Sequence, residues 1–445
     1  MPTGRDDRAW TFAKAVALLM VAYGVALATF SPSGFPEHRH TGNAWPYVAD
    51  KPFGEDGFLM LTVGWNLGAG LGPVYNQGRT TTGIQPLSTA IDGVLAAIVQ
   101  RTGGDKWTLT RAALLVGFLG LVLLAFVLAK LAAAIAVRFG HAQLAARASA
   151  FALVATLCSY ALFRVITFGL ETGLYLITIG LCVLYTLRHP TRAWRLSDAI
   201  LFGLLCGAAG LARIDFVVVM FVFLSAAILS RRMSLAHAVV VGALLWLAVG
   251  PWLLWVHHVS GHWLPSSGLA EGSLLDRSRA GERTVTMIMA AIQHATPWVD
   301  LNLLDSAIGR LVPRGTLSAI KPIVLSAFAA AAAYLVIAAI AEWRDAEDGT
   351  LWLWAASTGS LLLVYPAFFD PTYFFLRYSA PLTVIALPLV AVGWACRMSA
   401  RPRTATLGPL LLAGVFVLSA AVTLHRGFVG DHLSIIVVHR ARVSA

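Results

Sequence analysis

Long apolar segments alternate with short polar ones along almost the whole chain. A membrane-spanning helix needs about 20 consecutive, mostly apolar residues, and eleven segments match or approach that description. They cover residues 11–30, 108–134, 148–163, 170–187, 197–212, 214–230, 235–256, 316–341, 351–369, 379–396 and 405–424. Most connections are tight, but two are long, at about 31–107 and 257–315. The pattern predicts an all-α protein, a polytopic transmembrane helical bundle of about eleven spans.

The first long connection contains two further apolar stretches. Residues 58–65 follow an acidic pair and predict a helix lying at the membrane interface. The glycines and asparagines between 66 and 78 then predict a helix end and turns. Pro86 opens a second stretch that ends before Gly103, and because Asp92 lies inside it, we expect an interfacial helix rather than a span.

Composition narrows the class of protein. Apolar residues make up 58% of the 445 residues and charged residues 12%, where an ordinary soluble protein carries about a quarter charged. This excludes an ordinary soluble enzyme, a disordered chain and a disulfide-stapled secreted domain. The net charge of +11 suits the cytosolic loops of a membrane protein, and we expect no nucleic acid because no basic run is interleaved with aromatics. The four cysteines form no CxxC pair.

The positive-inside rule, counted over short loops, predicts which face of the membrane each loop occupies. With the N-terminus inside, the short outside loops carry only Arg164, Arg213 and Arg377. The inside loops hold a larger set: Arg138, Arg147, Arg188, Arg192, Arg195, Arg231, Arg232, Arg397, Arg401 and Arg403. Both long connections are then outside. We expect residues 1–425 to form one transmembrane domain, 426–445 a short tail, and segment 11–30 to stay as a span.

An acidic pair, Glu55 and Asp56, stands at the start of the first interfacial helix. A carboxylate at a helix N-terminus is stabilised as the anion, so a simple helix cap explains the pair. The alternative is a general base held at the membrane surface. The turn that follows contributes Asn76 and Arg79 as supporting polar residues.

Arginine–acid combinations mark two other outside turns. Arg164 and Glu171 flank one turn, and Arg213 and Asp215 lie between two spans. Ionisable groups at this depth are usually paired or functional. They either pin helix ends or contribute to a site.

Arg377 and Tyr378 stand at the outer end of a later span. The planar fork of arginine suits a phosphate group, whereas an interfacial aromatic anchor is the alternative. His257, His258 and His262 lie close together, but histidine is common on this face of the chain and we do not favour a metal there.

These segments, in this order, resemble the GT-C superfamily of membrane glycosyltransferases, especially polyprenyl-phosphate-sugar enzymes of the family 39 and mycobacterial arabinofuranosyltransferase types. The resemblance rests on six segments that together cover nearly the whole chain. They are Glu55-Asp56, the Asn66 to Leu87 stretch, Gly169 to Thr172, Arg213 with Asp215, Gly261 with Pro265 and Ser267, and Arg377-Tyr378. The chain has Thr62-Val63 where many relatives have Arg-Tyr, so the sugar stays open.

The resemblance implies a reaction and a set of roles. A sugar on polyprenyl phosphate would pass to an acceptor hydroxyl, with inversion if displacement is single-step. Asp56, or else Glu55, would be the base. Arg377, with Arg213 and Tyr378, would bind the donor phosphate, and no metal or other cofactor is required.

Two other classes stay open at this point. A transporter or flippase of an anionic lipid-linked substrate would also use outside arginines, although no inverted repeat is visible. A catalytically inactive assembly partner is the other class. The predominance of arginine over lysine and the absence of an Asn-x-Ser/Thr sequon indicate a bacterium, whose cytoplasmic membrane would hold the protein. The resemblance implies a glycan or lipid acceptor outside.

Overall fold

A computed structural model describes residues 4–29, 53–76, 79–273, 279–295, 349–369 and 375–400, with single positions between 323 and 341. The predicted span 405–424 and the tail 426–445 lie outside the described residues. So does nearly all of the predicted span 316–341.

The described chain is almost entirely helical. Its helices before the second long connection are α1 (Gly4–Thr29), α2 (Glu55–Gly68), α3 (Pro86–Arg101), α4 (Lys106–Arg138), α5 (Ala145–Leu157), α6 (Tyr160–Thr167), α7 (Thr172–Arg188), α8 (Leu196–Ala212), α9 (Phe216–Leu229) and α10 (Leu235–Ser260). Those that follow are α11 (Ser266–Ser273), α12 (Ala280–Ala295), α13 (Thr350–Gly359), α14 (Leu361–Phe368), α15 (Phe375–Ser379) and α16 (Thr383–Ala400). A short antiparallel hairpin joins β1 (Val74–Asn76) to β2 (Arg79–Thr80).

The helices confirm the predicted multi-pass membrane architecture. Within the described residues, five segments are long and apolar enough to cross a membrane: 10–29, 106–138, 235–260, 350–368 and 377–399. Helices α7, α8 and α9 are apolar but shorter. Nine of the eleven predicted spans fall on these helices or on the α5–α6 pair.

The predicted span 148–163 is not one straight helix. It breaks at Cys158 and Ser159 into α5 and α6, which are bent by 62° relative to each other. The Ser159 hydroxyl caps α6 by accepting a hydrogen bond from the Leu162 amide at 3.1 Å. A side chain that satisfies the free amides of a new helix makes such a break tolerable within an apolar segment.

Small residues determine how closely the spans pack. On α8, a Cβ added at Gly203, Gly207 or Gly210 would lie 2.7–3.0 Å from α10. Membrane helices associate by close backbone approach along such stripes. Large apolar side chains face outward instead, including Phe221 at 71% exposed and Leu247 at 68%.

Both helices predicted for the first long connection are present, as α2 and α3, and they pack against each other. Gly64 of α2 lies against Asp92, since an added Cβ would be 2.6 Å from the Asp92 Cβ. Gly70 and Gly72 adopt positive φ angles of 77° and 81° after α2, where the turn needs them. The region expected as turns includes the β1–β2 hairpin, in which Asn76 pairs with Arg79.

Candidate active site

The N-terminus of α2 is docked onto the loop that precedes α7. The Gly54 amide donates a hydrogen bond to the Phe168 carbonyl at 3.1 Å. A Cβ added at Gly57 would lie 2.1 Å from that carbonyl oxygen, and one at Gly169 would lie 2.3 Å from the Phe53 ring. Only glycine permits this approach, which brings the first turn of α2 next to the start of α7.

Asp56 and Glu171 both lie beside Arg377 as a result. The Oδ2 atom of Asp56 is 3.8 Å from Nη1 of Arg377, and the Oε1 atom of Glu171 is 3.8 Å from its Nε. Charge-assisted hydrogen bonds are shorter, at about 2.7–2.9 Å. Asp56 is 38% exposed and Arg377 21% exposed, so this pair is loose and accessible. We call it the outer pair.

A second arginine is buried directly behind the first. Arg213 follows α8 and is only 4% exposed. Its Nη2 is 2.9 Å from Oδ2 of Asp215 and donates to the Tyr365 hydroxyl at 2.6 Å. Its Nη1 lies 3.7 Å from Oε1 of Glu171 and donates to the backbone carbonyl of Arg377 at 3.2 Å.

Three tyrosines surround the Arg213 guanidinium. Its central carbon lies 5.3 Å from the ring centre of Tyr175, 6.0 Å from Tyr365 and 5.2 Å from Tyr378. The rings of Tyr365 and Tyr378 are stacked, with centres 4.4 Å apart. The Tyr365 hydroxyl also donates to Asp215. Aromatic faces attract a cation, so this environment holds a charged arginine in an otherwise apolar bundle.

A cavity of about 140 Å³ has Glu171 in its lining. It lies between the α2–α3 pair and helices α4, α6 and α7, and its lining is mostly apolar. Representative lining residues are Leu61, Asp92, Gly117, Ile166 and Glu171. Burial among these neighbours raises the pKa of Asp92 to about 7.

The remaining predicted site residues lie on α6, in the hairpin and on α2. Arg164 is on α6, which packs against α15. Asn76 and Arg79 are in the hairpin, where Arg79 is exposed. Glu55 is the first residue of α2. The structure thus brings Asp56, Glu171, Arg213, Asp215, Arg377 and Tyr378 into one cluster, and not Asn76 or Arg79.

The two long connections also meet near this end of the bundle. The Ser266 amide donates to the Thr82 hydroxyl at 3.1 Å, and a Cβ at Gly83 would lie 2.8 Å from the Ser266 hydroxyl oxygen. His257 stacks on Trp263 with ring centres 4.4 Å apart. In the described part of the chain, no group of three or more His, Cys, Asp or Glu is arranged to hold a metal ion.

Sequence reasoning missed Tyr175, Tyr365 and Arg283. Tyr175 lies four residues after Glu171 and therefore on the same helical face, which was a usable signal. Tyr365 is a tyrosine in an apolar span, where a hydroxyl needs a partner. Arg283 of α12 is 3% exposed, and its Nε donates to the Pro366 carbonyl at 3.0 Å, which anchors the second long connection next to Tyr365.

The described helices define a multi-pass membrane protein with an all-α fold. The chain is similar to the Archaeoglobus fulgidus oligosaccharyltransferase in complex with Zn and sulfate, with a TM-score of 0.55 and 12% identity over 94% of this chain and 53% of that one. It is also similar to ArnT from Cupriavidus metallidurans bound to undecaprenyl phosphate, with a TM-score of 0.55 and 17% identity over 97% of this chain and 78% of that one.

The chain spans about half the length of the oligosaccharyltransferase. At these identities the likeness concerns the fold. No known protein family matches the sequence, and no curated protein sequence matches it either.

Proposed function

We propose that the protein is a membrane glycosyltransferase that transfers a sugar from a polyprenyl-phosphate donor to an acceptor hydroxyl. The site would face the exterior of a bacterial cytoplasmic membrane, and the acceptor would be a glycan or lipid of the cell envelope. The observation that carries the proposal is the outer pair, in which a partly exposed carboxylate and a guanidinium lie 3.8 Å apart.

The chemistry assigns one function to each member of the pair. Asp56 accepts the proton of the acceptor hydroxyl, whose oxygen attacks the anomeric carbon. The bond between that carbon and the phosphate oxygen breaks, and polyprenyl monophosphate leaves with the electron pair. Arg377 stabilises the charge that develops on the leaving phosphate. A single displacement of this kind inverts the anomeric centre.

Two further observations support a lipid-linked donor. The similar ArnT structure holds undecaprenyl phosphate, which is the kind of leaving group proposed here. The apolar cavity beside Glu171 offers room for a short part of a prenyl chain. Glu171 lies 3.8 Å from Arg377, so this part of the chain would be close to the phosphate-binding arginine. We assign the sugar only as a hexose or a pentose.

Transfer is tested with purified full-length protein and radiolabelled sugars linked to undecaprenyl phosphate. We expect transfer to an envelope acceptor, or slow donor hydrolysis, from the native protein. Asp56→Asn should reduce the rate by about 10²–10⁴-fold, as removal of a general base does. A transporter or an inactive assembly partner would release no polyprenyl phosphate.

A matched control is available on α12. Glu282 forms an exposed ion pair with Arg279 at 2.7 Å. Glu282→Gln therefore also replaces a carboxylate that lies beside an arginine in the second long connection. It should leave turnover unchanged. Unchanged turnover in Asp56→Asn as well would remove Asp56 from the reaction.

A further inference from the structure

Arg213 contacts the helix that carries Arg377, and it does so through the backbone. Its Nη1 donates to the carbonyl oxygen of Arg377 at 3.2 Å. Its other contacts come from the start of α7, the link between α8 and α9, and helix α14. One buried guanidinium therefore joins four separate parts of the bundle at the point where α15 begins.

We propose that Arg213, Asp215 and Tyr365 form a positioning cluster that fixes Arg377 for the phosphate of the lipid donor. Arg213 itself does not bind that phosphate. This inference rests on the proposed function, because it concerns the same donor and the same site.

Arg213 is buried and the terminal nitrogens of its guanidinium already have protein partners, so we infer that it acts through Arg377. Arg213 is 4% exposed, and both terminal nitrogens already donate to or pair with protein groups. Contact with a phosphate would require it to leave Asp215, and an unpaired buried carboxylate is strongly unfavourable. Arg377 is 21% exposed, and its contacts with Asp56 and Glu171 are both 3.8 Å, so it is the more accessible of the two arginines.

The cluster has two ways to hold α15 in place. The hydrogen bond to the Arg377 carbonyl fixes the backbone of a helix that is only five residues long. The stacking of Tyr378 on Tyr365, at 4.4 Å and 26°, fixes the next residue. The Tyr365 hydroxyl connects the two contacts, since it accepts from Arg213 and donates to Asp215.

Charge gives the cluster a second effect. Arg213 neutralises Asp215 at 2.9 Å and shares Glu171 with Arg377. Glu171 is therefore attracted to two guanidiniums and holds neither in a short contact. Glu171 therefore does not hold Arg377 at the distance of about 2.7–2.9 Å that is typical of a charge-assisted hydrogen bond.

The test is a double-mutant cycle between Tyr365→Phe and Arg377→Lys. The phenylalanine keeps the ring on Tyr378 and removes only the hydroxyl. Affinity for undecaprenyl monophosphate is measured with the full-length purified protein, together with kcat and KM for transfer. We expect Tyr365→Phe to weaken binding about 3–10-fold and Arg377→Lys about 10-fold or more, in the range for lost charged hydrogen bonds.

Coupling between the two changes decides the inference. If Tyr365 acts through Arg377, the double variant binds no more weakly than Arg377→Lys alone. Effects that multiply would overturn the proposal, because a general structural effect does not depend on Arg377. If Tyr365→Phe fails to fold, Asp215→Asn takes its place in the same cycle.

A control variant at Arg138 and the binding measured for the native protein distinguish failure of this inference from failure of the proposed function. Arg138 also donates from Nε to a backbone carbonyl, that of Leu187, at 3.0 Å and at the opposite end of α7. Arg138→Lys should leave affinity for the monophosphate unchanged. Native protein that does not bind the monophosphate would remove the donor proposal and this inference together, whereas binding with multiplicative effects would remove the inference alone.

Discussion

The outer pair and the Arg213 cluster use the same chemistry in different surroundings. Each places an arginine beside a carboxylate, but the Arg213–Asp215 contact is 2.9 Å and nearly sealed, whereas the Arg377–Asp56 contact is 3.8 Å and open. Removing one partner of a buried ion pair leaves an uncompensated charge, which is strongly destabilising. The comparison indicates that the buried arginine supports the structure and that the partly exposed one is the arginine a ligand can reach.

Removing each arginine in turn tests that division most strongly. Arg213→Gln leaves Asp215 buried beside a neutral partner, so we expect a loss of about 3–5 kcal/mol in the free energy of unfolding. Arg377→Gln should leave the unfolding temperature nearly unchanged and reduce transfer instead. Thermal unfolding in detergent measures the first effect, and the radiolabel assay measures the second. Equal destabilisation by both substitutions would contradict the distinction between the two regions.

The outer pair also depends on the docking of α2, which Gly57→Ala should disturb. An added Cβ would lie 2.1 Å from the Phe168 carbonyl oxygen, so α2 must shift away from α7. We expect a destabilisation of about 1–3 kcal/mol, as for other overpacked sites, with a fall in transfer because Asp56 moves with the helix.

Gly242 supplies the control for this change. It lies inside α10, and nothing is within 4 Å of an added Cβ. Alanine is the better helix former there, so Gly242→Ala should cost neither stability nor turnover. A loss of activity in both variants would show that the effect does not depend on the contact with Phe168.

The sequence predicts the helices well because hydropathy reports burial in lipid directly. It also predicts that Asp56, Glu171, Arg213, Asp215 and Arg377 lie on one face, since polar residues at alternate span ends share a side of the membrane. It does not predict the bend at Ser159, because a capped break leaves the apolar composition unchanged.

Tyr365 was missed for a related physical reason. The apolar pattern of its span does not show which partner the Tyr365 hydroxyl meets. The close approach of Gly57 to Phe168 is equally hidden, because it joins residues more than a hundred positions apart. The contacts of Tyr365 and the approach of Gly57 to Phe168 both depend on tertiary packing between segments. The hydropathy pattern of each segment is explained without that packing.

Asp92 extends the comparison of the two arginine–carboxylate regions. It lines the same cavity as Glu171, and burial shifts the pKa of Asp92. Burial raises the pKa of Asp92 to about 7, whereas the unfolded chain ionises near pH 4. Between these values the folded state keeps a proton that the unfolded state has lost, so stability falls as pH rises through this window. The slope is at most about 1.4 kcal/mol per pH unit, and partial exposure of the side chain reduces it.

Asp92→Asn removes the titration and keeps the shape of the neutral acid. We therefore expect the variant to match the native unfolding temperature near pH 4.5 and to exceed it near pH 8. Thermal unfolding in detergent at several pH values measures the difference between the two proteins. A difference that does not change with pH would mean that Asp92 is ionised in the folded protein throughout, and that a carboxylate in this cavity tolerates its charge without a guanidinium like the one beside Asp215.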